Sequence, residues 1–267
     1  MNKIFDCITF FNENFITNLR FEILKEQIDY FVICESKYNH QGEKKNLNFR
    51  LENKNFQNKI IYLILDRPFP KNNDPWKNQA IQRDFMLEKL NYVEPEDYIM
   101  FSDPDEIPNP KILSNIQLEK KYGIFLQEMF CYKFNLYNKF ESPWEGTRIC
   151  KKKNLKPIDF MRQKVIRKNL QQPFWKFYKE KDIQIFNDGG WHFNSLLSPK
   201  EISSKLKSFA HHEFSSPEYS DEKIIENNIL NHRDLFKRNL KYEKVNLDPT
   251  FPKYIIKNKD LLKKWII

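Results

Sequence analysis

The chain has 267 residues, with 45 Lys and Arg against 36 Asp and Glu, for a formal net charge of +9. At 40 % hydrophobic and 15 % aromatic residues it can bury a sizeable core, which excludes wholesale disorder. Its five glycines (Gly42, Gly123, Gly146, Gly189 and Gly190) fit no G-x-G-x-x-G loop, Walker loop or G-x-S-x-G elbow, so a metal ion is the obvious substitute for holding any phosphate.

The first hundred residues alternate between strand and helix signals. KIFDCITFF (3–11) is a short apolar run rich in β-branched and aromatic residues. Phe15, Ile16, Leu19, Ile23 and Leu24 then recur at helical spacing within 13–27. DYFVICES (29–36) reads as a buried strand, polar residues 37–57 as a loop, and KIIYLILD (59–66) as a third strand. Asp74-Pro75 opens a helix with proline in its first turn, and DYIMFSD (97–103) is a fourth strand ending in acidic residues. Strands that are apolar throughout and alternate with helices predict an α/β fold with a mostly parallel central sheet covered by helices on both faces. Ligands bind such sheets at the carboxyl ends of the strands. That edge would carry Asn12 and Glu13, Glu35 and Ser36, Asp66, and the 102–106 cluster.

Beyond residue 120 the pattern changes. Residues 122–137 suit a long extended strand, and 146–153 could pair beside it. A helix is expected in 156–170, short strands around Gly189-Gly190 in 183–194, two or three helices in 198–240, and a short helix in the tail. With no linker and no internal repeat, the expectation is one domain, 1–267, in two lobes. The expected lobes are residues 1–108 and residues 109–267, the second with C-terminal helices.

Lysine supplies 36 of the 45 basic residues, whereas nucleic-acid interfaces favour arginine, so no specific nucleic-acid partner is expected. Cys7, Cys34, Cys131 and Cys150 form no C-x-x-C pair and read as reduced core thiols. No targeting segment is visible, and no run approaches the ~18 apolar residues of a membrane span. The expected location is cytoplasmic, with peripheral contact to a membrane surface.

Four segments could carry chemistry. In Phe101-Ser102-Asp103-Pro104-Asp105-Glu106-Ile107-Pro108, three carboxylates within four residues follow an apolar strand; such crowding suits Mg²⁺ or Mn²⁺, or else a solvated acidic turn. Asn187-Asp188-Gly189-Gly190-Trp191-His192-Phe193 pairs two glycines with a tryptophan able to wall a sugar and a histidine able to ligate metal or donate a hydrogen bond; a tight turn with a core aromatic is the alternative. On helix 76–84, Arg83 either reaches a diphosphate or is a surface charge. Phe209-Ala210-His211-His212-Glu213 is no H-E-x-x-H motif and reads as a helix-end cap or surface pair.

In their order along the chain, DCITFFNE (6–13), DYFVICES (29–36), WKNQAIQRD (76–84), FSDPDEIP (101–108), GGWHF (189–193), KSFAHHE (207–213) and PKYIIKNKD (252–260) resemble glycosyltransferase family 17. The resemblance implies a GT-A-like nucleotide-sugar transferase fold, with 1–108 as its nucleotide-binding lobe and 109–267 as its acceptor lobe, an inverting reaction, a UDP-sugar donor (UDP-GlcNAc above all), Mn²⁺ or Mg²⁺, and a glycan or glycolipid acceptor. On this likeness Asp103 and Asp105 are the Asp-x-Asp pair, with Asp105 on the metal, Asp103 on metal or ribose, and His192 a further ligand. Asn12, Glu13 and Glu35 would meet the nucleoside, Arg83 the diphosphate and Trp191 the sugar, and either Glu106 or Asp188 would take the acceptor proton. The family's vertebrate members carry a membrane anchor and stem, which are not expected here. The rival readings are a non-catalytic nucleotide-sugar or glycan-binding module of the same fold and a metal-dependent nucleotidyltransferase or phosphodiesterase.

Overall fold

In a computed structural model of the chain, residues 2–208, 214 and 216–267 are described. The His211-His212 segment singled out above therefore lies outside the described residues. Four parallel strands, β1 (Ile4–Phe10), β2 (Tyr30–Ser36), β3 (Ile60–Leu65) and β4 (Tyr98–Ser102), stand in the order β3-β2-β1-β4. Their side chains divide by period two. Ile4, Ile8, Phe10, Phe31, Ile33 and Met100 pack with Ile16, Leu19, Ile23 and Leu24 of helix α1 (Asn14–Leu24). On the other face Phe5, Cys7, Val32, Cys34, Ile99 and Phe101 pack with Met86 and Leu90, the first from helix α2 (Pro75–Glu88) and the second just beyond it. Each strand is therefore apolar on both faces, as helix-covered parallel strands require. Asp74 caps α2 by accepting from the Lys77 amide at 2.9 Å, with Pro75 at the first helical position.

Past β4 the sheet becomes mixed. A turn at 103–105 leads into β5 (Glu106–Pro108) and a short helix α3 (Pro110–Leu113). β6 (Tyr122–Cys131) is the long strand; it ends where Tyr132 takes a φ of 66°, and β7 (Leu136–Tyr137) turns back on it. β8 (Trp144–Lys151) runs antiparallel to both β4 and β6 and joins the two halves into one sheet. Helix α4 (Ile158–Lys164) follows, then β9 (Ile183–Phe186) and β10 (Gly190–Asn194), which both run parallel to β6. Helices α5 (Pro199–Ser208), α6 (Pro217–Ser220) and α7 (Glu222–Leu230), strand β11 (Glu243–Lys244) on β7, and helix α8 (Lys253–Lys257) complete the chain. The expected α/β class with a large central sheet is present; its first four strands are all parallel, and beyond them parallel and antiparallel pairs share one mixed sheet. All four cysteines are free and buried, and burial pushes the Cys34, Cys131 and Cys150 thiols up to about 12.

One buried ion pair links the core to the sheet edge. Arg20 of α1, wholly buried, donates to both carboxylate oxygens of Asp6 at 2.6 and 2.7 Å. It also donates to the Glu106 carbonyl at 2.6 Å and to Ser102 Oγ at 3.0 Å, so a helix side chain holds both ends of the acidic turn.

Candidate active site

The turn between β4 and β5 is closed by the Glu106 amide donating to the Asp103 carbonyl at 3.0 Å. β5 then pairs antiparallel with β10, setting His192 opposite Glu106, and the Phe193 amide donates to the Asp105 carbonyl at 2.9 Å. This ladder brings two segments far apart in sequence together, with His192 Nε2 3.6 Å from Asp105 Oδ1. It requires the two glycines. A Cβ on Gly189 would stand 2.5 Å from the Leu126 amide nitrogen; one on Gly190, whose φ is +124°, would stand 2.2 Å from the Ile107 carbonyl oxygen. Gly190→Ala is expected to destabilise the fold by about 2–3 kcal/mol, read as a lowered urea midpoint. An unchanged midpoint would contradict this packing.

Asp103, Asp105, His192, Arg83 and Glu13 all line one cavity of about 600 Å³ at the carboxyl ends of β1 and β4. Asp103 is flanked by two guanidinium groups, Arg162 of α4 at 3.0 Å and Arg83 of α2 at 3.5 Å. Burial works against its ionised form, but these two cations outweigh burial and hold its carboxyl below the usual range. Burial likewise opposes ionisation of Asp105, yet the charge and hydrogen bond of His192 bring it down to about 2. The same pairing overcomes the burial of His192 and raises its pKa. Arg83 is buried, bridges Asp103 to Asp159 of α4 at 3.0 Å, and lies over the Phe101 ring at 5.5 Å.

The remaining expected residues are distributed differently. Glu106 is fully buried behind the turn rather than in the cavity wall. Both its oxygens bond Arg162; one also accepts from Trp144 Nε1 at 2.7 Å and the other from the Asp103 amide at 3.1 Å. Asp188 sits on the exposed turn before β10 with a φ of 50°, at the far end of the β5–β10 ladder from His192. Trp191 belongs to the hydrophobic core, paired with Ile107. Glu35 is buried at the end of β2, where it accepts from Lys45 Nζ, the Asn48 and Phe49 amides and the Tyr62 hydroxyl at 2.6–3.0 Å, and so fastens the 37–57 loop. Asn12 is exposed, and its amide donates to Glu13 at 2.9 Å.

Several cavity residues were not anticipated. Arg162 and Gln163 come from α4, and Trp144 from the start of β8, its ring 5.2 Å from that of His192. Glu141, Phe236 and Arg238 also line the cavity; Arg238 donates to Glu141 at 3.0 Å. On the β1 side stand His40 and Gln82, bonded to each other at 2.9 Å. Only the tryptophan could have been suspected from residue type; an arginine on a short amphipathic segment carries no such signal.

Asp105 and His192 offer a carboxylate oxygen and an imidazole nitrogen to one point. The buried Nδ1 of His192 has no hydrogen-bond partner; a cation between the two side chains would take the place of the proton that Nε2 shares with Asp105, with the neutral ring's proton moved to Nδ1. Among the described residues no group of three His, Cys, Asp or Glu side chains is arranged to hold a metal ion. The pair fits Mg²⁺ or Mn²⁺ when phosphate oxygens complete the shell.

The family model described as glycosyltransferase family 17 matches residues 1–244. The β-1,4-mannosyl-glycoprotein 4-β-N-acetylglucosaminyltransferases of Rattus norvegicus and Homo sapiens are each 32 % identical over 117 residues, which is 40 % of this chain and 22 % of theirs. The chain thus aligns with about a fifth of the length of those relatives. Among solved structures, a glycosyltransferase involved in the glycosylation of the major capsid of PBCV-1 superposes with a TM-score of 0.33 at 12 % identity, over 69 % of this chain and 81 % of that one.

Proposed function

The chain belongs to glycosyltransferase family 17, and from that premise we propose that it transfers N-acetylglucosamine from UDP-GlcNAc, with inversion, to a hydroxyl of a glycan or glycolipid sugar. The observation that carries this reading is the meeting of Asp103, Asp105, His192 and Arg83 in one cavity at the carboxyl edge of a parallel sheet. That edge is where such sheets receive nucleotides, and the relatives named above are N-acetylglucosaminyltransferases.

Asp105 and His192 would hold Mn²⁺ or Mg²⁺ together with the donor's phosphates, and Asp103 would approach metal or ribose from between its two arginines. A divalent cation bound there supplies neutralisation of the charge that develops on the departing nucleotide. Arg83 and Arg162 add fixed positive charge to the same wall. Glu13 borders the nucleoside side at the end of β1. Trp144, beside His192, offers an apolar face to a sugar ring. The group that takes the acceptor proton must reach the cavity. Glu141, on the wall with Phe236 and Arg238, is the carboxylate we assign to it in preference to Glu106 and Asp188.

The test is nucleotide release from a panel of UDP-, GDP- and CMP-sugars, with Mn²⁺, with Mg²⁺ and after chelation. UDP release from UDP-GlcNAc, lost on chelation and restored by Mn²⁺, is the expected result. UMP or pyrophosphate as product would replace this reading with phosphodiester or nucleotidyl chemistry. UDP binding by calorimetry with neither transfer nor slow hydrolysis would make the chain a binding module. Full turnover in the chelator would remove the metal. Glu141→Gln is expected to bind UDP as the wild type does and to lose transfer.

A further inference from the structure

Between α4 and β9 the chain presents Phe174, Trp175, Phe177 and Tyr178 with 78, 61, 83 and 76 % of their surfaces exposed. Single exposed apolar residues are ordinary, but four exposed aromatic rings within five consecutive positions mark an interaction surface. The loop that carries them has defined geometry. Two successive turns are closed by the Lys176 amide on the Pro173 carbonyl and the Lys179 amide on the Lys176 carbonyl, each at 3.1 Å. Phe174 and Trp175 pack edge to face at 5.2 Å, and Lys181 Nζ bonds the Pro173 carbonyl. The turns thus hold the rings outward.

Cations flank the rings along the chain. Residues 164–181 contain six cations (Lys164, Arg167, Lys168, Lys176, Lys179 and Lys181) and one carboxylate, Glu180. Arg167 is partly engaged by Glu145 at 3.7 Å, so the lysines dominate. We propose that this loop docks the protein on an anionic phospholipid bilayer, its phenylalanines entering the acyl boundary, Trp175 and Tyr178 at headgroup depth, and the lysines meeting lipid phosphates. Trp and Tyr favour that depth because each joins an apolar ring to a polar tip, and lysines near an anionic surface add attraction that salt weakens. Two other occupants fit less well. A second copy of the chain, meeting it through a two-fold axis, would set six cations against six. Five of the six cations are lysines, not the arginines that stack on bases, and the rings stand on turns rather than along a groove that could track a strand. The loop follows α4, whose Arg162 and Gln163 line the cavity, so docking would bring a membrane-borne sugar acceptor near the site. Docking itself does not depend on the transferase reading.

Sedimentation of the full chain with vesicles of phosphatidylcholine alone, and of phosphatidylcholine with one quarter phosphatidylglycerol, tests the proposal. Binding to the anionic vesicles at least tenfold tighter than to the neutral ones, weakening as salt rises, is expected. The variant carrying Phe174→Ser, Trp175→Ser, Phe177→Ser and Tyr178→Ser should lose at least tenfold of that affinity with an unchanged melting temperature and unchanged nucleotide release. Should it fail to fold, quenching by brominated anionic vesicles gives a second reading: it should fall in the conservative variant Trp175→Phe. The proposal is overturned if the wild-type chain stays in the supernatant with anionic vesicles, if the serine variant binds undiminished, or if Trp175→Phe leaves quenching unchanged. It is also overturned if light scattering finds a wild-type dimer that the variant dissolves, or if a single-stranded oligonucleotide binds the patch more tightly than the vesicles do. None of these measurements requires turnover, so failure here and failure of the transferase reading are separate results.

Discussion

Arg20→Met is expected to destabilise the protein by about 3–5 kcal/mol, because it strips the partner from a carboxylate that water cannot reach. Asp6 is 1 % exposed, and both of its oxygens are bonded to Arg20. Methionine fills much of the volume but leaves Asp6 charged and alone, and removes donors from Ser102 Oγ and the Glu106 carbonyl. Urea unfolding of Arg20→Met, Asp6→Leu and the double variant measures this. The double variant should recover most of the loss, since replacing both charges by apolar groups costs far less than orphaning one. A single variant within about 1 kcal/mol of wild type would show that the pair contributes no more than an exposed one. Nucleotide release should fall along with stability, because Arg20 also holds both ends of the acidic turn.

Asp105→Ala is expected to cost the reaction far more than it costs the fold. Loss of a side chain assigned to the cation that would neutralise charge on the departing nucleotide is expected to lower turnover by about 10²–10³-fold. Asp105 fits that description: it lines the cavity, its carboxyl is held down to about 2 and so stays ionised through the neutral range, and it lies 3.6 Å from His192, the other side chain assigned to the cation. Steady-state UDP release at saturating donor, with and without added Mn²⁺, measures it. The melting temperature should change little, since the turn itself is closed by backbone bonds. Retention of a third or more of the wild-type rate would remove Asp105 from the site. Asp103→Ala is a poorer probe, because it removes a partner from two arginines at once and mixes stability with rate.

The parallel half of the fold was legible because its signals are local. β1, β2 and β4 are short apolar runs between helix-period segments, and Asp74-Pro75 marks a helix start by its own chemistry. The mixed half was less so. The expected pairing of 146–153 beside the long strand is present as β8 on β6, but nothing within Trp144–Lys151 says that its other edge will take β4, since pairing partners are chosen by packing across the whole sheet. The site followed the same division. Asp103, Asp105, His192 and Arg83 stood out by motif, and they lie together. Trp191 shares that motif but faces the core, because alternation along β10 puts it on the side opposite His192. Glu106 looked like a third free carboxylate; Arg162, fifty-six residues away, claims both its oxygens, and no spacing rule connects the two. Glu35 likewise carries a charge that its strand-end position made suggestive and that the 37–57 loop uses for its own anchoring.

The β5–β10 pairing also sets an order of events during synthesis. When a ribosome has released residues 1–186, the nascent chain holds every carboxylate of the 103–106 turn, yet nothing that pairs with β5. β10 must arrive, pass both glycines through positions that admit no side chain, and pair with β5 and β6 together before Asp105 meets His192. Contacts between segments so distant along the chain form late and slowly. Until then the growing protein exposes a bare strand edge, which neighbouring nascent chains could join. A chain stalled or truncated before Gly190 would therefore leave the ribosome inert and prone to stick to others.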